Sequence, residues 1–294
     1  MDTPAKRSLL LTGATGQLGG YLQREIAQEG WNAVGWARSQ VPARSGLAIR
    51  RVDLGSKAEV ASACRSFQPT LIIHAGAIST VNGCAREPER AFQVNSQGTR
   101  VLAGLAAELH ARLLLISTDL VFDGTQGNYR ETDLPAPLSI YGRTKVEAEE
   151  AVLTATRAVV VRFSLLFGPS LVGRPFFFDE QARSFLDRKP VVLFQDEWRT
   201  PLHLRLAARG ILRVLTSSYQ GILHFGGPER MTRVEMGLRL AKHLGVADPL
   251  VDRRSRDSMP GEPRPRDTSL DSSLWTRLFP EEPRPLFEEA LAST

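Results

Sequence analysis

A tyrosine and a lysine stand four residues apart in "SIYGRTK", Ser139 to Lys145. On a helix, positions i and i+4 lie one above the other, so Tyr141 and Lys145 would share a face. A phenol beside an ammonium can deliver protons. A free tyrosine titrates near about 10, and a neighbouring positive charge favours the phenolate and lowers that value. Reduction of a carbonyl by a nicotinamide needs such a device, because a hydride reaches carbon while a proton must reach oxygen. Spacing alone does not separate this pair from two residues on an exposed helix. What lies upstream decides.

Upstream, "ISTDLVFDG" (116–124) ends an apolar run. Open α/β sheets bind ligands beyond the carboxyl ends of their strands, which is where Thr118 and Asp119 fall. The Thr118 hydroxyl would hold a substrate oxygen in line. Nearer the N-terminus, "TGATGQLGG" joins an apolar strand directly to a helical pattern. Gly13, Gly16 and Gly19 keep side chains out of a turn where backbone approaches a pyrophosphate, and the next helix presents its N-terminus to that charge. Thr15, Gln17 and Leu18 complete the loop. The end of the second strand, "GWARSQ", carries Arg38 and no carboxylate. A guanidinium clamps a 2′-phosphate where a carboxylate would repel it, so the expected cofactor is NADPH, with NADH the alternative. The duller role for Arg38 is a solvated loop residue.

These residues need a scaffold, and the hydrophobic pattern supplies one. Apolar runs at 8–12, 32–37, 47–54, 70–77, 111–118 and 158–166 read as strands. Between them, Leu18, Leu22 and Ile26 mark one helix face. Residues 56–67, 86–110 (Leu102, Leu105, Leu109) and a stretch from near 140 mark further helices. Strands alternating with helices imply right-handed crossovers and a Rossmann-type doubly wound parallel α/β sheet. After Gly168 the texture changes, with helical patterns at about 170–190 and 232–245, a short strand at 221–227 and six prolines in 259–285. The expected division is a nucleotide-binding domain over 1–167 and a smaller substrate-binding lobe over 168–294, with some segments returning to the sheet. The Phe176–Phe178 run reads as core.

Composition narrows the classes. The chain has 294 residues, 42% hydrophobic and 23% charged, with a formal charge of +5. Only five of its 37 basic residues are lysines, and the arginines are dispersed without interleaved aromatics, which argues against nucleic-acid binding. Cys64 and Cys84 form no C-x-x-C, and no metal site is expected. The N-terminal apolar run is too short for a leader or a membrane span, so a cytoplasmic protein is expected.

The set Thr118, Tyr141 and Lys145 resembles the catalytic triad of the short-chain dehydrogenase/reductases, and the G-x-x-G-x-x-G spacing resembles their extended members. "STDLVFDGTQGNYRETDLPAPLSIYGRTKVEAE" (117–149), "LIIHAGAISTVNGCAREPERAFQVNSQGT" and "RPRDTSLDSSLW" resemble the dTDP-4-dehydrorhamnose reductase family. The resemblance implies an NADPH-dependent reduction of the C4 ketone of a nucleotide-linked 4-keto-6-deoxy sugar, with Tyr141 as proton donor. It implies that Lys145 also binds the nicotinamide ribose and that Asn95 is a further active-site residue, a helix-kink role being its alternative. Asp53 would contact adenine, unless it only caps a helix. Leu54, His74, Ala75 and Gly76 would lie along the cofactor. Ser79 and Thr80 would line the sugar pocket. Arg199 would meet a substrate diphosphate, and Trp198 would stack on a base or pack at the lobe junction. A homodimer is a further expectation.

One departure is Arg205, where the family usually carries Asp. Leu120 follows Asp119, and it cannot exchange a proton, which disfavours the related dehydratases. A nucleotide-sugar epimerase is one alternative. The other is a non-catalytic subunit resembling the regulatory β subunit of methionine adenosyltransferase, which the intact triad disfavours. The Arg38 reading predicts a higher kcat/KM for NADPH than for NADH, and a clear NADH preference would sink it.

Overall fold

Three consecutive leucines, Leu9, Leu10 and Leu11, are completely buried in β1 (Ser8–Thr12). That requires cover on both faces of the strand, which a parallel sheet between two helical layers provides. The structure is a computed structural model and describes residues 7–39, 47–154 and 157–293. Residues 1–6, which bear on the expectation about a leader, and Gln40 of "GWARSQ" lie outside the described residues.

From β1 the chain runs through α1 (Gln17–Ile26), β2 (Asn32–Ala37), β3 (Ala48–Arg51), α2 (Lys57–Phe67) and β4 (Leu71–His74). Next come α3 (Val81–Arg86), α4 (Pro88–Ala91), a π-helical segment (Phe92–Gln97), α5 (Gly98–Glu108), β5 (Arg112–Thr118), α6 (Ile140–Leu153) and β6 (Ala158–Phe163). The later elements are β7 (Leu166–Phe167), α7 (Phe177–Leu186), β8 (Val191–Phe194), β9 (Trp198–Arg199), β10 (Leu202–His203), α8 (Leu204–Thr216) and β11 (Gly221–Phe225). They end with β12 (Met231–Thr232), α9 (Arg233–His243), β13 (Val251–Arg254), α10 (Ser273–Leu278) and α11 (Phe287–Ala292).

Among the described residues, seven parallel strands form one sheet in the order β3-β2-β1-β4-β5-β6-β11. The order reverses between β1 and β4, and the crevice beyond their carboxyl ends is where such sheets take ligands. Leu9 and Leu11 pack with Leu22 and Ile26 of α1 and with Ala208 and Ile211 of α8. Leu10 packs on the opposite face with Val60 of α2, Leu102 of α5 and Val152 of α6. Each fully buried leucine contributes about 1.5–3 kcal/mol of transfer free energy. A separate cluster joins Phe178 and Phe185 of α7, Leu193 of β8, Leu240 of α9 and Leu291 of α11. The later half of the chain therefore serves both bodies. β11 adds the seventh strand, and Trp275 of α10 stacks on Phe225 at 3.5 Å.

The expected long helix over 86–110 is helical from Pro88 to Glu108, with a π-helical segment inside it. Glu87 leaves helical geometry, Pro88 opens α4, and the π-helical segment intervenes before α5. β4 stops at His74, short of the expected 77, because the chain then bends beside the β1 turn. β6 ends at Phe163, and the last part of the expected strand forms β7. No helix of the described residues is long and apolar enough to cross a membrane.

Three buried histidines are held neutral. Burial first, then Lys145, pushes His74 down to about 3. Burial, then Arg205, takes His203 to about 4, and burial, then Arg162, takes His224 to about 3. These folded values lie below the unfolded value near about 6.5. The unfolded chain therefore binds extra protons as pH falls, and stability that is fully present above pH 6.5 is withdrawn toward pH 4, each histidine removing up to about 1.4 kcal/mol per pH unit. The urea midpoint should fall between pH 7 and pH 5, and an unchanged midpoint would contradict this.

Candidate active site

The turn after β1 closes on the chain leaving β4. Gly13 has φ +69°, and a Cβ there would lie 2.7 Å from Ala75 O and Gly76 N. A Cβ on Gly19 would lie 2.3 Å from Gly13 O. Neither position admits a side chain, and together they leave a backbone cradle of the kind a pyrophosphate needs. Behind it runs a buried relay. Gly76 N–H donates to Thr12 Oγ1 (2.9 Å), which meets His74 Nδ1 at 2.7 Å. His74 Nε2 meets Thr99 Oγ1 at 2.8 Å, and Thr99 donates onward to Asn95 O. This order assigns the proton to His74 Nε2. His74 is thus a buried brace of the loop, and Leu54 packs against Gly76 beside it.

A cavity of about 470 Å³ extends from this cradle across the ends of the strands. Gly13, Gly16, Gln17, Leu18, Gly19 and Ala75 form one end, and Thr118, Asp119, Tyr141 and Lys145 form its middle. α6 carries Tyr141 and Lys145, as the i, i+4 spacing requires. Its N-terminus is capped twice. Ser139 Oγ accepts from Gly142 N–H (3.0 Å), and Glu262 Oε1 accepts from Ile140 N–H (2.8 Å). Gly142 lets the helix press on the preceding turn, since a Cβ there would lie 2.3 Å from Leu120 O.

The electrostatics of the pair differ from the sequence expectation. Burial, with Cys84 and Asp119 adding to it, pushes the Tyr141 phenol well above its usual value, and the Thr118 hydrogen bond opposes them. Desolvation outweighs the ammonium one turn away. Burial also lowers Lys145 to about 8, with Glu149 and Cys84 acting in the other direction. The site thus holds a protonated phenol beside a lysine poised near neutrality.

Beyond Thr118 the cavity is lined by residues of the later half of the chain, among them Phe194, Glu197 and Arg199. Asp119 is buried, and its Oδ2 accepts from Ser164 and Thr268, each at 2.9 Å. Burial raises its pKa, while Arg199 and these donors pull the other way. Arg199 is held between Asp119 (3.5 Å) and Glu197 (3.3 Å), so its charge is largely answered within the chain. Arg233 and Arg264 line the same end, Arg264 lying 3.5 Å from Glu197.

Ser79 is exposed on the cavity wall. The other expected residues stand outside the lining. Thr80 caps α3 by accepting from Gly83 N–H (3.0 Å). Trp198 lies under the Arg230 guanidinium, 3.9 Å from its ring centre. Asp53 is clamped by Arg90 at 2.6 and 2.7 Å. Thr15 is half-buried in the loop, and Arg38 is exposed just past β2. Asn95 sits buried in the π-helical segment, a geometry common at functional sites. Arg205, the departure from the family pattern, lies in the first turn of α8, where its N–H donates to His203 Nδ1.

Sequence reasoning missed Glu149 and Arg162, although both left signals. Glu149 repeats the four-residue step beyond Lys145, and Arg162 interrupts the apolar run "AVVVRF". Glu197, Arg233 and Arg264 left none, being scattered through the later chain. Asn95 Oδ1 accepts from Ile78 N–H (2.8 Å), and its Nδ2 donates to Ile78 O (3.1 Å) and Thr144 Oγ1 (3.0 Å). Asn95→Ala leaves buried backbone groups unpaired and should cost on the order of 2–3 kcal/mol, read as a lowered Tm. Unaltered stability would refute the bracing role.

Residues 7–294 match the family model described as the RmlD substrate binding domain. Methionine adenosyltransferase 2 subunit beta of Pongo abelii is 34% identical over 281 residues, covering 91% of this chain and 81% of that protein. The probable low-salt glycan biosynthesis reductase Agl14 of Haloferax volcanii is 30% identical over 271 residues, covering 90% of this chain and 89% of that protein. Among solved structures, dTDP-4-dehydrorhamnose reductase of Bacillus anthracis in complex with NADP superposes with a TM-score of 0.87 at 24% identity, over 98% of both chains, which establishes the shared fold. The sheet order, the glycine cradle and a family match spanning nearly the whole sequence agree: the chain belongs to the RmlD family of extended short-chain dehydrogenase/reductases, nicotinamide-dependent oxidoreductases.

Proposed function

We propose that this chain is an NADPH-dependent reductase acting on the C4 ketone of a nucleotide-linked 4-keto-6-deoxy sugar, with Tyr141 as proton donor. The observation that carries the reading is that Thr118, Tyr141 and Lys145 share one cavity with the Gly13–Gly19 cradle. Bound NADPH supplies the hydride. A phenol held protonated by burial is the form a donor needs, and its proton goes to the ketone oxygen as negative charge develops there. Lys145 places positive charge beside the resulting phenolate. Thr118 Oγ1, which accepts from Leu120 N–H at 3.1 Å, is fixed to orient the carbonyl. Arg199 is held by two carboxylates and is buried, whereas Arg264 has one, at 3.5 Å, and is partly exposed, so Arg233 and Arg264 are the guanidiniums assigned to the substrate diphosphate. The Agl14 reductase, alignable over nine-tenths of this chain, supports a reductive role.

A second reading is a regulatory subunit like methionine adenosyltransferase 2 subunit beta, favoured by 34% identity over 91% of the chain. Loss of NADPH absorbance at 340 nm with a dTDP-4-keto-6-deoxy sugar separates the two. Tyr141→Phe should lower kcat by about 10²–10⁴-fold. Arg264→Ala should raise KM for the sugar nucleotide roughly tenfold and leave KM for NADPH unchanged. No oxidation of NADPH with any keto sugar, together with tight binding of a methionine adenosyltransferase catalytic subunit, supports the second reading.

A further inference from the structure

A strap from the proline-rich stretch runs along the cavity, where Pro263, Arg264 and Pro265 form part of the wall. It is tied down at both ends. Upstream, Ser255 Oγ and the Arg256 N–H donate to the two oxygens of Asp196 (2.6 and 2.7 Å). Downstream, Arg266 O accepts from Trp198 N–H (2.7 Å), Asp267 N–H donates to Gly124 O (3.1 Å), and Thr268 Oγ1 donates to Asp119 Oδ2 (2.9 Å). Between these anchors the chain is exposed from Asp257 to Gly261. Gly261 has φ +122°, and a Cβ there would meet nothing within 4 Å.

Glu262 links this span to α6. Its Oε1 accepts from Ile140 N–H at 2.8 Å and lies 4.0 Å from Arg143 Nη2. Its Oε2 is buried and has no hydrogen-bond partner among the described residues. The plain explanation is a helix cap, since a negative charge is favoured at a helix start. That is a weak reason here. Ser139 already caps this turn, and a buried oxygen left unpaired is costly. Placement gives a better one. Ile140 directly precedes Tyr141, so the carboxylate fixes the peptide that leads into the proposed donor. Arg264 stands two residues beyond Glu262, with its guanidinium 4.7 Å from the Phe194 ring centre and 3.5 Å from Glu197. That is the end of the cavity assigned to the diphosphate. Pro263, between the two, has its φ fixed by its ring, which makes the connection short and stiff.

We infer that Glu262 is a positioning residue that ties the strap to the first turn of α6, so that a diphosphate held by Arg264 and the alignment of Tyr141 are coupled. The coupling rests on the reductase reading, but the tie between strap and helix does not. Such coupling is reciprocal. A ligand that holds the strap in place steadies the first turn of α6, and a loosened turn weakens the hold on the ligand. Without the carboxylate, the span around Gly261 loses its contact with α6, and Tyr141 keeps only the support of its own helix.

With only four tyrosines in the chain, ring-¹³C labelling gives a spectrum in which Tyr141 is identified by its loss in Tyr141→Phe. In Glu262→Ala without ligand, the Tyr141 resonance should shift, and trypsin should cut after Arg254 and Arg256 roughly fivefold faster. Glu262→Asp keeps the charge but falls one methylene short. It should change both readouts the same way by less, which covers the case where the alanine variant fails to fold. With NADP⁺ present, dTDP should slow exchange of the Ile140 amide about tenfold in the parent and leave it unchanged in Glu262→Ala and Arg264→Ala. A Tyr141 resonance and a strap cleavage rate unchanged in both Glu262 variants overturn the tie. An Ile140 amide that dTDP does not slow in the parent overturns the coupling. If the reductase reading holds, Glu262→Ala lowers kcat about tenfold with KM for NADPH unchanged. If that reading fails, no NADPH oxidation is seen and the ligand-free readouts still decide the tie.

Discussion

The site depends on how α6 is held. A helix of a doubly wound fold normally docks through an apolar stripe, but the buried face of this one includes Gly142, Thr144, Lys145 and Glu149 alongside Ala148 and Val152. Apolar contact alone cannot hold such a face, because each buried polar group needs a partner. The partners come from four directions: Asn95 and Ser96 on the π-helical segment bond Thr144, Ser117 and Arg162 on neighbouring strands bond Glu149, and Glu262 caps the first turn. The adjacency of β5 and β6 follows from this requirement as much as from hydrophobic pattern. α6 is held by hydrogen bonds, which are directional, as well as by the packing of Ala148 and Val152.

The cavity joins two chemistries. At the sheet end, the Gly13–Gly19 turn presents backbone with no room for side chains at Gly13 and Gly19. At the other end, Arg199, Arg233 and Arg264 gather around Glu197, more positive charge than that one carboxylate answers. An elongated ligand with a diphosphate toward the second body and a carbonyl near Tyr141 fits this gradient. Relatives named as a reductase and as a methionine adenosyltransferase subunit beta align over nine-tenths of this chain, so the fold alone does not carry the assignment, and the proposed chemistry rests on particular side chains.

Much of this was legible beforehand, for definite reasons. The strands β1, β2 and β5 and the helices α1 and α2 fall where apolar periodicity placed them, since buried parallel strands tolerate little but aliphatics. The glycine turn was visible because only glycine satisfies its φ and its contacts. The π-helical segment within the 86–110 helix was not, because it leaves no compositional mark, and neither was the start at Pro88, since proline can open a helix as well as end one. Trp198 and Thr80 were read by residue type, but their partners, Arg230 and Gly83 N–H, are fixed by tertiary or cap geometry. The direction of the Tyr141 shift was missed because spacing reveals neighbours and not burial.

The cap on α6 comes from Glu262, in the proline-rich stretch 259–285. Chains are made from the N-terminus, and their early parts fold first. The glycine turn therefore leaves the ribosome long before the carboxylate that secures α6, and β11, which closes the sheet edge beside β6, is also a late arrival. A half-made chain would hold the glycine cradle before α6 is anchored.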